Sequence, residues 1–188
     1  MNQDVTAIIL TGGRSKRFGE DKAMYLHKGT TFLHRAIDVA MEVVSRVVVI
    51  GDKEYDLRDD IDQFPDNVTG KGPLAGIVTG LKQSTTERNL VLACDYPNLN
   101  SKFLEWIIES AGEDEIVVVK EKDQLHPLIG CYSRSLLEKL NDLLLEEKLK
   151  MHLLVDQLQA TILTVDETVS SYSKDLLVNV NDPRDIQT

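Results

Sequence analysis

The chain has 188 residues, of which 31 are Asp or Glu and 21 are Lys or Arg, giving a formal net charge of −10 at pH 7. That balance excludes a protein that wraps nucleic acid or lies on an anionic membrane, because both need a positive face. With 42% hydrophobic and 28% charged residues, the composition is that of a soluble globular protein with a sizeable core, not a disordered chain.

Residues 5–10 (VTAIIL) form a short apolar, β-branched run cut off by Thr11-Gly12-Gly13, which predicts a buried strand feeding a loop. Behind Thr30-Thr31, a good N-cap pair, apolar residues recur at Phe32, Leu33, Ala36, Ile37, Ala40, Met41 and Val44, the stripe of an amphipathic helix. Residues 46–50 predict a second buried strand, stopped by Gly51, and residues 52–69 are acidic and aperiodic, predicting a surface segment. A helix is expected over 73–81 with Pro73 in its first turn. A third buried strand follows over 89–94 (NLVLAC), then a helix capped by Ser101 that carries Phe103, Leu104, Trp106, Ile107 and Ile108. Residues 115–119 and 125–131 predict two more strands, and 133–147 and 151–159 predict helices by spacing. Two late apolar runs, 160–165 and 176–180, read as strands. No repeat or low-complexity linker interrupts the chain, so one domain over residues 1–188 is expected. Apolar strands alternating with amphipathic helices predict a layered α/β sheet with helices on both faces, and such sheets bind ligands at the carboxyl ends of their strands.

No apolar run is long enough to span a bilayer, and the N-terminus lacks a basic region followed by a long apolar stretch, so neither a membrane span nor a signal peptide is expected. Cys94 and Cys131 stand 37 positions apart without a CxxC or Cys/His spacing. That excludes a disulfide scaffold and a zinc site, and suits a reducing cytoplasm.

Five motifs could carry chemistry. The loop after the first strand runs from Leu10 to Lys22 and holds Gly12, Gly13 and Gly19, whose missing side chains let backbone N–H groups approach a phosphate. Arg14, Lys16, Arg17 and Lys22 place four cations there against two acids, in a chain whose overall balance runs the other way. The spacing is neither a P-loop nor a dinucleotide fingerprint; an anion site at the end of the first strand is the reading it favours. Lys71-Gly72-Pro73-Leu74-Ala75-Gly76 would let a base or phosphate lie against backbone, or is simply a tight turn into a helix. Cys94-Asp95-Tyr96-Pro97 puts a carboxylate at the carboxyl end of an apolar strand, where an oxygen ligand for Mg²⁺ is wanted; the other reading is an Asp capping a turn before Pro97. His126, in Gln124-Leu125-His126-Pro127-Leu128, has no carboxylate or nucleophile beside it in sequence and reads as a structural hydrogen-bonder. Asn179 and Asn181, ahead of Asp182-Pro183, would share one face of a strand. No Ser-His-Asp or Cys-His arrangement is present.

Taken in order, these pieces resemble the molybdenum cofactor guanylyltransferase family: Leu10-Thr11-Gly12-Gly13 through Gly19, Asp21-Lys22-Ala23, Gly72 to Gly76, Cys94 to Pro97, His126-Pro127, and Asn179 to Pro183. The resemblance implies a three-layer Rossmann-like nucleotidyltransferase fold with a mostly parallel central sheet. It implies transfer of GMP from GTP to the terminal phosphate of Mo-molybdopterin, giving the guanine dinucleotide cofactor and pyrophosphate, with Mg²⁺ as cofactor. Leu10, Thr11, Gly12, Gly13 and Arg17 would contact the nucleotide, Lys22 would neutralise its phosphates, Asp66 would be a further nucleotide contact, and Asp95 would hold Mg²⁺. Lys22 and Asp95 would be the catalytic pair, while Asn179 and Asn181 could face the metal or the pterin. The implied partners are GTP and Mo-molybdopterin, with transient contacts to cofactor-handling proteins and recipient molybdoenzymes. Thr11 departs from the family's usual Ala. Two alternatives share the fold: a sibling nucleotidyltransferase using CTP or another phosphorylated acceptor, and a non-catalytic nucleotide-binding cofactor chaperone.

Overall fold

The computed structural model describes residues 2–12, 21–66 and 71–185. In chain order the elements are β1 (Asn2–Leu10), a 3-10 turn at Lys22–Met24, the short hairpin β2 (Leu26–His27) and β3 (Thr30–Thr31), α1 (Phe32–Met41), β4 (Val44–Ile50) and β5 (Asp62–Phe64). There follow α2 (Pro73–Gln83), β6 (Arg88–Ala93), α3 (Ser101–Ser110), β7 (Ile116–Glu121), β8 (Gln124–Ser133), α4 (Leu137–Leu145), α5 (Met151–Gln157) and β9 (Thr161–Val165). The main sheet has seven strands in the order β5-β4-β1-β6-β8-β7-β9. β8 is antiparallel to both of its neighbours, and every other pairing in this sheet is parallel.

The period-two alternation of the strands builds two core layers. From β1, Ala7 and Ile9 enter the layer shared with Leu33, Ile37 and Ala40 of α1 and Phe103, Leu104 and Ile107 of α3. Ile8 and Leu10 enter the opposite layer, with Leu74, Ile77 and Leu81 of α2, Leu140 of α4 and Leu154 of α5. Because both faces are covered, the central strands are apolar throughout rather than alternating, as expected for buried parallel strands. Two glycines set the distance of α2 from the sheet. A Cβ on Gly80 would lie 2.4 Å from Ile8 Cγ2 and one on Gly76 would lie 3.0 Å from Leu10 Cδ2. The first turn of α2 therefore sits over the carboxyl end of β1. Gly72 caps that helix at φ +71° with Pro73 next, a pairing that needs a residue free of Cβ strain followed by one with preset φ.

Four sequence expectations shift. The segment 52–69 holds a strand, β5, which pairs in parallel with Val48, Val49 and Ile50 of β4, while the Gln63 side chain donates to the Lys53 carbonyl (2.7 Å) and accepts from the Tyr55 amide (3.1 Å), and Ile61 is buried. Three residues are too few for a readable alternation. The cap of α3 is Asn100, whose side chain accepts from Phe103 N at 3.0 Å, not Ser101. The helix expected over 133–147 begins as a 3-10 turn at Arg134–Leu136 before α4. Residues 176–180 form no strand: Leu176 and Val178 bond locally to Ser173 and Asp175, and Val180 alone of the three reaches across, to Asp95. Cys94 and Cys131 are free and buried, and burial raises both thiols. Among the described residues no helix is long and apolar enough to cross a membrane.

Candidate active site

Asp95 lies two residues past the end of β6, and its neighbour Cys94 donates its backbone N–H to the Leu10 carbonyl at 3.2 Å, which holds the ends of β6 and β1 side by side. Lys22 opens a 3-10 turn capped by Asp21, whose carboxylate accepts from Ala23 N at 3.2 Å. The fully buried Ala23 fixes that turn against the core. The Lys22 ammonium then lies 2.7 Å from Asp95 Oδ2, 3.2 Å from Asn181 Oδ1 and 3.5 Å from Asn179 Oδ1. The pair is shielded, with side-chain exposures of 12% for Lys22 and 20% for Asp95. Such a pair gains more than a surface pair does, and leaves a costly unpaired charge when one partner is removed.

The Asn residues reach Lys22 without belonging to a strand. Val180 N donates to the Asp95 carbonyl at 3.0 Å, and the Val180 side chain is buried with Phe32 and Tyr25. Local extension around that anchor turns Asn179 and Asn181 the other way. Three oxygens thus converge on one positive charge, while Asp95 Oδ1 is enclosed and has no hydrogen-bond partner among the described residues. Among the described residues no group of three His, Cys, Asp or Glu stands ready to hold a metal. One carboxylate and two amide oxygens are hard donors, and a Mg²⁺ site of few protein ligands completed by substrate phosphates fits such a set.

The neighbouring strand end is built differently. Thr11 N and Thr11 Oγ1 both donate to the Ile50 carbonyl, at 3.0 and 3.2 Å. The hydroxyl occupies the space over Gly51, where a Cβ would come within 1.9 Å of it. Burial pushes the Tyr55 pKa up to about 12, with the neighbouring Thr11 hydroxyl opposing the rise and Asp21 adding to it. Lys53 pairs with Asp21 at 3.2 Å. A cleft of about 530 Å³ runs beside these groups, lined by Gly51, Lys53, Tyr55, Gln63 and Pro65 among others. Gly12 is exposed with open space where a Cβ would stand, so its backbone is approachable. The Leu10 side chain, by contrast, is buried against Gly76 and can offer a ligand only its backbone. Asp66, half-buried, follows β5 at the same edge of the sheet, with β4 and β1 between it and β6. Gly13 and Arg17 lie outside the described residues, as do Arg14 and Lys16.

In the second motif, Gly76 serves helix packing, and Lys71 contacts Glu147. His126 is buried on β8 with Nδ1 3.1 Å from the Tyr96 hydroxyl. Burial lowers its pKa, with Glu121 opposing. Tyr55 is a polar group that sequence reasoning missed, while Asp21 and Tyr96 stand in the motifs beside Lys22 and Asp95 without a role assigned to them.

The sequence pattern of the MobA-like NTP transferase domain matches residues 7–161. The chain belongs to that family. It is 35% identical over 192 positions to a Bacillus cytotoxicus protein named "Probable molybdenum cofactor guanylyltransferase", covering 95% of this chain and 92% of that one. A Flavobacterium johnsoniae protein of the same name is 33% identical over 181 positions, covering 95% and 93%. The crystal structure of molybdopterin-guanine dinucleotide biosynthesis protein A from Archaeoglobus fulgidus superposes with a TM-score of 0.78 at 22% identity, covering 96% of this chain and 94% of that one, and shares the fold. The chain is therefore a transferase, a nucleotidyltransferase of the molybdenum cofactor guanylyltransferase kind with a three-layer, mostly parallel α/β sheet.

Proposed function

We propose that this enzyme transfers GMP from GTP to the terminal phosphate of Mo-molybdopterin, releasing pyrophosphate, as a single cytoplasmic domain over residues 1–188. The observation that carries this reading is the convergence of Lys22, Asp95, Asn179 and Asn181 beside the exposed Gly12 backbone at the carboxyl edge of a parallel sheet. The acceptor phosphate oxygen attacks the α-phosphorus of GTP, the bond to the β-phosphate oxygen breaks, and the electron pair leaves with pyrophosphate. An attacking phosphate is already ionised near pH 7, so the chemistry needs positioning and charge neutralisation rather than a covalent nucleophile. Lys22 neutralises the phosphates, and the Gly12 and Gly13 amides, with Arg17, receive the triphosphate. Thr11, Asp66 and the Leu10 backbone contact the nucleoside. Asp95, with the Asn oxygens near it, would hold Mg²⁺, which supplies charge stabilisation across the phosphates when bound. The partners are GTP and Mo-molybdopterin, with transient contacts to cofactor-handling proteins and recipient molybdoenzymes.

The test is pyrophosphate release with Mo-molybdopterin and each of GTP, CTP, ATP and UTP in turn. GTP-dependent release supports the proposal, and release with CTP alone overturns it in favour of the sibling enzyme. Binding of GTP without any release points to the nucleotide-binding chaperone instead.

A further inference from the structure

Asp21 stands next to Lys22, yet nucleotidyl transfer as described uses only the lysine. The two oxygens of its carboxylate have separate partners. Oδ1 accepts from Ala23 N at 3.2 Å, and Oδ2 lies 3.2 Å from Lys53 Nζ. The Asp21 carbonyl accepts from Met24 N at 3.0 Å and the Lys22 carbonyl from Tyr25 N at 3.1 Å, so Lys22 sits inside a closed turn. That turn has only three residues, and its leading amides have no partners within it. The Asp21 side chain supplies one, and the turn it closes sends the Lys22 ammonium to 2.7 Å from Asp95 Oδ2.

The cap alone does not call for a charge, because Asn caps as well as Asp. A carboxylate beside a cation meant for phosphates even opposes its task, since it lowers the positive potential that the phosphates meet. Lys53 offsets that charge and fixes which oxygen is left to the turn. Its own backbone is held in place, the Lys53 carbonyl accepting from Gln63 Nε2 of β5 at 2.7 Å. A line of contacts therefore runs from the edge strand, through Lys53 and Asp21, to the turn that carries Lys22.

We propose that Asp21 is a positioning residue with two tasks: Oδ1 closes the turn that aims Lys22 at Asp95, and Lys53 on Oδ2 masks the charge of the cap from the incoming triphosphate. The effects on turnover and on GTP binding rest on the nucleotidyl-transfer reading above; the effect on the Ala23 amide does not.

Three measurements on the full chain test this. In hydrogen exchange, the Ala23 amide is protected in wild type and in Asp21→Asn, and at least 10-fold less so in Asp21→Ala. In turnover with GTP, Asp21→Ala lowers kcat by about 10-fold with little change in KM, and Asp21→Asn, which keeps the cap, recovers most of that loss. In calorimetric titration with GTP, Lys53→Ala weakens binding by about 3-fold, the scale of an exposed ion pair, and less in high salt. In an Asp21→Asn background Lys53→Ala costs nothing further, because the charge it masked is gone. Equal kcat losses in Asp21→Asn and Asp21→Ala, or an Ala23 amide that exchanges alike in wild type and Asp21→Ala, would overturn the first task. An undiminished Lys53→Ala penalty in the Asp21→Asn background would overturn the second and make Lys53 a direct phosphate contact. If the wild type turns over no nucleotide, the functional reading fails, while the Ala23 amide still decides whether Asp21 holds the turn.

Discussion

Lys22 reaches Asp95, Asn179 and Asn181 across 73, 157 and 159 residues of sequence, and charge holds that half of the carboxyl edge together. Two strands' ends hold the other half: Thr11 is fixed by two bonds to the Ile50 carbonyl and by the bare Cα of Gly51 beneath its hydroxyl. The first half is sensitive to the loss of one charge, the second to the gain of one methyl group. The difference separates chemistry from shape: polar substitutions around Asp95 act on turnover, and small-to-larger substitutions under Thr11 and α2 act on stability.

The largest expected effect lies on the charged side. Asp95→Asn keeps the size of the side chain but removes its charge, and kcat for pyrophosphate release falls by roughly 10³-fold, the scale of losing a main electrostatic element. Lys22→Ala falls by roughly 10²-fold or more on the same grounds, and near-UV circular dichroism of both variants stays native. Two variants that retain full rate would remove the site from this edge altogether.

On the steric side, Gly80→Ala drives a methyl into Ile8 and Gly51→Ala drives one into the Thr11 hydroxyl. Each costs about 1–3 kcal/mol in urea unfolding, as overpacking does. The Gly51→Ala cost shrinks when combined with Thr11→Ala, because that second change removes the atom struck, whereas the Gly80→Ala cost stays the same in that background. Equal costs in both backgrounds would show that Gly51 is needed for some reason other than the Thr11 hydroxyl.

A smaller effect follows from His126. Its folded-state pKa lies below the unfolded value of 6.5, so the unfolded chain binds the proton more readily. The stability this contributes is present above pH 6.5 and is lost as the pH falls through the folded-state pKa. Between pH 7.5 and 5, the Tm of wild type drops further than that of His126→Leu, and parallel curves would contradict the buried neutral ring. The smallest effect is at Lys53, whose side chain is 62% exposed and pairs with Asp21. Lys53→Ala changes stability by less than about 1 kcal/mol, and less still in high salt.

The same contrast marks what sequence alone reveals. The strands β1, β4 and β6 are legible because both faces are covered, which leaves uninterrupted Val, Ile and Leu runs between turn residues. α1 is legible from its stripe and from Thr31, which caps it by accepting from His34 N at 3.2 Å. β5 is not, since an edge strand of three residues is held by its pairing with distant β4, which no periodicity in so short a run records. Leu176 and Leu177 are core residues, as their apolar run suggests, yet burial does not require a ladder, and the backbone there turns on itself. Lys22 and Asp95 are recognisable through family motifs, and their contact joins two of those motifs. The contact between the Tyr96 hydroxyl and His126 depends on a partner 30 residues away, and nothing in local sequence encodes that.

As proposed, the centre formed by Lys22, Asp95 and the two Asn oxygens transfers a guanylyl group with a bound divalent cation. The decisive experiment incubates wild type and Asp95→Asn with GTP and Mo-molybdopterin, with and without a chelator, and quantifies both products. The expected result is guanine dinucleotide cofactor and pyrophosphate in equal amounts from wild type, abolished by chelation and by Asp95→Asn. Equal yields from Asp95→Asn, or undiminished yields after chelation, would contradict it.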